Sequence, residues 1–132
     1  NVELNFPGDP RHKAFAEDAF KYLDAMGDNY DLIILDPPAF AKHRKVLNNA
    51  LQGYRKLNAK AFEKIRPGGI LFTFSCSQVV SKENFRLAVF TAAAQSGRKV
   101  RILHQLTQPA DHPVNIYHPE GEYLKGLVLY VE

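Results

Sequence analysis

Apolar residues along the chain form two kinds of run, and together they predict alternating strands and helices. Four short runs rich in aliphatic and aromatic residues predict strands, at 31–35, 70–74, 99–106 and 123–131. Between them, apolar residues recur every three or four positions in three segments, at 18–26, 46–65 and 82–96, which is helical spacing. This alternation is typical of an α/β sheet with helical crossovers.

The character of each run indicates its place in the sheet. The run DLIIL at 31–35 is aliphatic, which predicts a parallel strand buried on both faces. The last two runs, at 99–106 and 123–131, predict an antiparallel pair at one edge. Asp18 stands where a helix N-cap would, and we expect Gly27, Pro67-Gly68-Gly69 and Gly97 to end the three helices.

Composition narrows the class of protein. A length of 132 residues suits a single domain, and a net charge of +3 permits a polyanionic partner without requiring one. The single cysteine, Cys76, excludes an internal disulfide and fits a reducing cytosol. No apolar run approaches the roughly 20 residues needed to cross a membrane. We therefore expect a cytoplasmic protein with no membrane partner.

Two side chains that could take part in catalysis follow neighbouring strands. Asp36 comes directly after the run at 31–35, and Cys76 follows the run at 70–74. Ligands of open α/β sheets bind beyond the carboxyl ends of the strands, so we expect the two side chains to lie close together. A free cysteine is often just a buried apolar residue, but one at a strand end before a helix can also act as a nucleophile.

The turn that begins at Asp36 allows two interpretations. Pro37 and Pro38 stiffen it and leave its carbonyl groups free, so carboxylate and carbonyl could accept hydrogen bonds from the amine of a nucleobase while Phe40 covers a face of the ring. Aspartate and proline are also ordinary turn residues, and the segment could merely end a strand. Taken alone, the two interpretations are equally compatible with the sequence.

Basic residues gather directly after this turn. Lys42, Arg44 and Lys45 could hold an RNA backbone there, although a solvated helix face is the usual explanation for such a cluster. The five histidines show no HxxxH or HExxH spacing, so we expect no metal site. Asp111-His112-Pro113 could either border the site or simply form a turn.

Three ordered motifs carry a resemblance to a known family. LDPPAFAK at 35–42, RPGGILFTFSCS at 66–77, and DHPV at 111–114 with PEGEYLKGL at 119–127 resemble the C-terminal half of the large-subunit ribosomal RNA cytosine-5 methyltransferases. That family is Rossmann-like and uses S-adenosylmethionine. The resemblance implies that residues 1–132 form the C-terminal part of a methyltransferase domain. Its sheet would be mostly parallel with an antiparallel edge pair, and would lack the first two strands.

The resemblance also implies residue roles. Cys76 matches the nucleophile that adds to C6 of the target cytosine, and Asp36 matches the acid that holds the base near N3 and N4. Asp18 and Ala19, together with Asp36, match positions that bind the cofactor, Asp18 contacting its adenine amine. Substrate contacts are expected from the turn and the basic cluster, namely Pro37, Pro38, Phe40, Lys42, Arg44 and Lys45. The substrate would be RNA, specifically that of the large ribosomal subunit.

The chain departs from the family in one respect. The glycine-rich cofactor loop and the ribose-binding acid belong to the first two strands, and neither can be found here. We therefore expect a fragment of a longer enzyme, with an apolar strand left exposed as an edge that invites association, for example as a homodimer. Two alternatives stay open: an amino-group methyltransferase that uses the same turn, and a non-catalytic RNA-binding module.

Overall fold

The computed structural model describes residues 1–27, 30–40 and 44–132 of the chain. In chain order, the helices and strands of the described residues are α1 (Val2–Asn5), α2 (Ala19–Ala25), β1 (Tyr30–Leu35), α3 (Leu47–Lys64), β2 (Ile65–Ser75), α4 (Lys82–Ser96), β3 (Val100–Leu106) and β4 (Lys125–Val131). Short 3₁₀ turns precede α3 at Arg44–Val46 and β4 at Pro119–Gly121.

The strands form one mixed sheet in the order β1-β2-β4-β3. β1 and β2 are parallel, whereas β4 runs antiparallel to both of its neighbours. Three of the four strands therefore point the same way, with β4 reversed between β2 and β3. The α/β class and the antiparallel pair at one edge are confirmed.

One face of the sheet packs on helices. Leu35, Leu71 and Leu129 project from three neighbouring strands into a single core that they share with α3 and α4. The largest side chains of that core, Tyr54 of α3 and Phe85 of α4, are fully buried and meet edge to face with ring centroids 5.3 Å apart. The structure thus has a helical layer and a sheet layer, as the hydrophobic patterns require.

Local chemistry sets most helix ends where the sequence predicts them. The Asp18 carboxylate accepts from the Phe20 and Lys21 amides at the start of α2, and Ser81 caps α4 through the Asn84 amide. Gly97 closes α4 in the left-handed conformation, with φ of 69°. The prediction was wrong for α3, which ends at Lys64, so that Pro67-Gly68-Gly69 lie within β2.

The expected burial of β1 on both faces was also wrong. β1 is an edge strand, and Leu32 and Ile34 are 52 % and 60 % exposed. In the described part of the chain, nothing pairs with its free edge, and these two side chains project away from the helical layer. The expectation of an exposed apolar edge is therefore confirmed.

Candidate active site

The ends of the two parallel strands bring Asp36 and Cys76 into one cleft. Leu35 of β1 stands opposite Thr73 of β2, so the residues that follow the two strands meet at the same end of the sheet. Asp36 is exposed and Cys76 is half-buried. Both line a cleft of about 460 Å³, here called the thiol cleft. The predicted proximity of the two side chains is confirmed.

The far wall of the thiol cleft comes from the loop between β3 and β4. Gln108 organises this loop, because its Oε1 accepts from the Tyr123 amide at 2.9 Å and its Nε2 donates to the His112 carbonyl at 3.3 Å. The His112 ring lies beside the Asp111 carboxylate, with 3.4 Å between Nδ1 and Oδ1. Asp111 and His112 therefore border the site and form a turn as well. The wall consists of Gln108, Pro109, Asp111, His112, Tyr123 and Leu124.

A second cleft of about 760 Å³ lies on the other side of the Asp36 turn and is here called the edge cleft. Asp18 and Ala19 line it from the start of α2, and the exposed face of β1 supplies an apolar wall that includes Leu32 and Ile34. The residues shared by the two clefts are Asp36, Pro37 and Pro38. The stiff turn is therefore a partition between two clefts.

Asp18 serves first as a helix cap. Both of its hydrogen bonds, each 3.0 Å long, end on Oδ1. Among the described residues, Oδ2 accepts no hydrogen bond, so it can serve a ligand in the edge cleft without disturbing the cap. The two roles expected from the sequence are thus geometrically compatible.

Phe40 lies on the edge-cleft side of the turn. Its ring packs edge to face on Tyr54, with centroids 4.8 Å apart, and it borders the hydrophobic core. It lines the edge cleft and is not among the residues that surround the thiol cleft. A role for Phe40 in covering the substrate base remains a prediction.

The Tyr54 phenol forms hydrogen bonds to residues at or beyond the ends of both β1 and β2. The buried Ser75 hydroxyl donates to its phenol oxygen at 2.9 Å, and the backbone of Phe40 also bonds to that oxygen. Burial raises the pKa of Tyr54, which keeps the phenol neutral. Sequence reasoning placed Tyr54 on the apolar face of a helix and missed this polar role.

Lys125 is the second residue that sequence reasoning missed. It is only 7 % exposed, and its Nζ donates to the Ser77 carbonyl at 2.5 Å. Burial lowers the pKa of Lys125. A single lysine inside the apolar run at 123–131 was the available signal.

Some basic residues form ion pairs or hydrogen bonds within the protein, and others are exposed. Lys60 forms an ion pair with Asp24, and Arg98 donates to the backbone carbonyls of Phe62, Ile65 and Glu132. Lys45 is exposed. Lys42 lies outside the described residues, as does the side chain of Arg44, so their predicted RNA contacts stay predictions.

The described residues show neither a metal-binding cluster nor a helix suited to a membrane. Residues 1–27, 30–40 and 44–132 contain no group of three or more metal-ligating side chains placed to hold an ion. Within the same ranges, no helix combines the length and apolar character needed to span a bilayer.

Comparisons with solved structures define the class of fold. A solved methyltransferase structure in complex with SAH matches 98 % of this chain with a TM-score of 0.79 at 23 % identity. A SAM-dependent methyltransferase from Streptococcus mutans matches the same share, also with a TM-score of 0.79, at 22 % identity. The chain has the fold of part of a Rossmann-like methyltransferase domain. No protein-family model matches it.

Sequence comparisons find similar proteins that share one name. The chain is 46 % identical over 116 residues to ribosomal RNA large subunit methyltransferase I of Tolumonas auensis, a match that covers 86 % of this chain and 29 % of that protein. It is 42 % identical over 132 residues to the enzyme of the same name from Aeromonas hydrophila, covering 98 % and 33 % of the two chains. The chain thus spans about a third of the length of these relatives.

Proposed function

We propose that this chain is the C-terminal part of a cytoplasmic S-adenosylmethionine-dependent methyltransferase that methylates C5 of a cytosine in large-subunit ribosomal RNA. The observation that carries the proposal is the partition turn of Asp36, Pro37 and Pro38, which has Cys76 on one side and the Asp18 cleft on the other. A methyl transfer between two bound molecules needs two adjoining clefts of this kind. The names of the similar proteins support the choice of RNA as substrate.

The edge cleft suits the adenosine part of the cofactor. Its apolar wall on β1 can cover a planar ring, and the free Oδ2 of Asp18 can accept a hydrogen bond from an exocyclic amine. Asp36 and Ala19 complete the set of residues that would hold it. When bound there, S-adenosylmethionine would supply an electrophilic methyl group.

The thiol cleft suits a covalent route to C5. Cytosine C5 is a poor nucleophile, and addition of the Cys76 thiolate at C6 places the displaced electron pair on the ring, which activates C5. Asp36 would hold N3 and N4 while that charge develops. Once C5 has taken the methyl group, a base would remove the C5 proton, and its bonding electrons would restore the C5–C6 double bond. The bond from C6 to sulfur would break at the same time, and its electron pair would return to the Cys76 thiolate. Pro37 and Pro38 would fix the base, and Lys45 would contact the RNA backbone.

A substrate analogue tests this mechanism directly. RNA carrying 5-fluorocytosine has no C5 proton to lose, so the longer natural protein with S-adenosylmethionine should form a covalent RNA complex that survives denaturing electrophoresis. Cys76→Ala should form none, and on ordinary RNA it should lose more than about 10³-fold in methylation rate. Cofactor calorimetry on the same variant checks that it is folded.

Two outcomes would overturn the proposal. If Cys76→Ala methylates RNA at the full rate and nucleoside mass spectrometry finds the methyl group on an exocyclic amine, the turn serves an amino-group methyltransferase. If the longer protein binds RNA but neither S-adenosylmethionine nor 5-fluorocytosine RNA covalently, it is a binding module.

A further inference from the structure

Lys125 is a buried charge to which the proposed chemistry gives no role. It opens β4 and is 7 % exposed, in a strand whose other residues are almost all apolar. Burying an ammonium group is costly unless other groups compensate it, so its presence calls for a local reason. The reason lies in the segment 75–77, where β2 ends.

Lys125 holds the loop around Cys76 from two sides. In the β-ladder its backbone stands opposite Ser75, the residue before Cys76. Its side chain donates to the carbonyl of Ser77, the residue after Cys76, with an Nζ to oxygen distance of 2.5 Å. Ser75 and Ser77 are both buried, whereas Cys76 between them is half-buried and lines the thiol cleft. Lys125 therefore contacts the backbone on both sides of Cys76.

The charges around Lys125 act on its ammonium group in both directions. Burial lowers the pKa of Lys125, and an anionic sulfur at Cys76 raises it. Lys82 also lowers this pKa and Glu122 raises it, but these two side chains form an ion pair with each other and largely compensate. Cys76 is therefore the group whose charge bears most directly on the Lys125 ammonium.

We propose that Lys125 is a positioning residue for the nucleophile, which fixes the 75–77 loop through the Ser77 carbonyl and keeps a positive charge beside the Cys76 thiolate. The α4 N-terminus, which the sequence suggested for this support, begins only at Lys82, and Ser81 already caps it. The inference rests on the proposed function for the use of the thiol in catalysis. The coupling of the two groups can be measured without catalysis.

The first experiment measures how fast Cys76 is alkylated by iodoacetamide at neutral pH in the longer natural protein, with peptide mass spectrometry to follow this cysteine alone. Lys125→Met keeps the apolar stem and removes the charge, so alkylation should slow about tenfold or more. Lys125→Arg should restore most of the rate. The matched control is Lys99→Met, since Lys99 is exposed and lies next to the start of β3, at the other end of the sheet, and it should stay within about twofold.

The second experiment needs no change at Lys125, so a misfolded variant cannot mask the answer. An NMR titration of the lysine side chains should show that the pKa of Lys125 is lower in Cys76→Ala than in the unaltered protein, because the thiolate that raises it is gone. An unchanged Lys125 pKa, or Lys125→Met protein that is alkylated as fast as the unaltered protein or faster, would refute the inference. Full methylation by Cys76→Ala would instead refute the proposed function and leave both readouts intact.

Discussion

The two clefts on either side of the partition turn differ in how fully the chain supports them. Behind the thiol cleft lie buried polar contacts, from Ser75 to Tyr54 and from Lys125 to Ser77, that join β2 to α3 and β4. The edge cleft instead rests on the seven-residue helix α2 and on a strand with one free edge among the described residues. Within the described residues, the thiol cleft is therefore supported from several sides, whereas the edge cleft is open.

The difference has a physical cause in the topology. β2 lies between β1 and β4, and helices cover one face of the sheet, so contacts from three directions fix the loop that follows it. β1 has one strand neighbour, and its outward face carries Tyr30, Leu32 and Ile34 at 41 %, 52 % and 60 % exposure. Exposed apolar surfaces of this kind mark places where a ligand binds or another protein segment packs.

The largest effect should follow from a charge on that surface. We expect Leu32→Asp to destabilise the longer natural protein by about 3 kcal/mol, because there the side chain would be buried without a partner. In the 132-residue chain the same change should alter stability by less than about 0.5 kcal/mol and should reduce any self-association. Urea denaturation measures the stability of both forms, and sedimentation velocity measures association.

Leu87 provides the matched control for this prediction. It is 60 % exposed on the outer side of α4, away from both clefts, so Leu87→Asp should be nearly neutral in both forms. Equal destabilisation of the two forms by Leu32→Asp would mean that nothing further covers β1, and the contrast between the clefts would then need another explanation.

A smaller loss of stability should follow from adding a methyl group to β4, which supports the thiol cleft. Gly126 lies opposite Phe74 in the sheet, and a Cβ there would come within 2.6 Å of the Phe74 ring and 3.3 Å of Leu106. Gly126→Ala should therefore cost about 2 kcal/mol of unfolding free energy. Thermal and urea denaturation measure that loss.

The control for the crowding prediction is Gly121→Ala in the loop between β3 and β4. A Cβ on Gly121 meets only Val114, at an ordinary 3.8 Å, so this change should be close to neutral. If both alanine variants proved equally stable, the sheet would accommodate a Cβ at Gly126 without strain. The close approach of Gly126 to Phe74 would then not limit the stability of the protein.

The sequence predicted those features that depend on local chemistry or on strand direction. The caps at Asp18 and Gly97 follow from side-chain and backbone preferences within a few residues, and both were found. The meeting of Asp36 and Cys76 follows from the parallel direction of two strands joined by one helix. Neither inference requires knowledge of distant contacts.

The features that the sequence did not reveal depend on distant residues. The hydrogen bond from Lys125 to Ser77 spans 48 positions, and that from Ser75 to Tyr54 spans 21, so no periodicity reports them. The aliphatic run of β1 indicated that burial is favourable, but a run does not show which segments pack against each face of a strand. Leu32 and Ile34 are exposed in spite of their apolar character.

The smallest predicted effect concerns Tyr54, where the supports of the two clefts meet. Tyr54→Phe keeps the ring contacts with Phe40 and Phe85 but leaves the buried Ser75 hydroxyl without its acceptor, so unfolding free energy should fall by about 1 kcal/mol. The double variant with Ser75→Ala removes the unsatisfied donor as well and should recover part of that loss. If the two changes were simply additive, the hydroxyl pair would not be coupled. Tyr54 would then support both strand ends through ring packing alone.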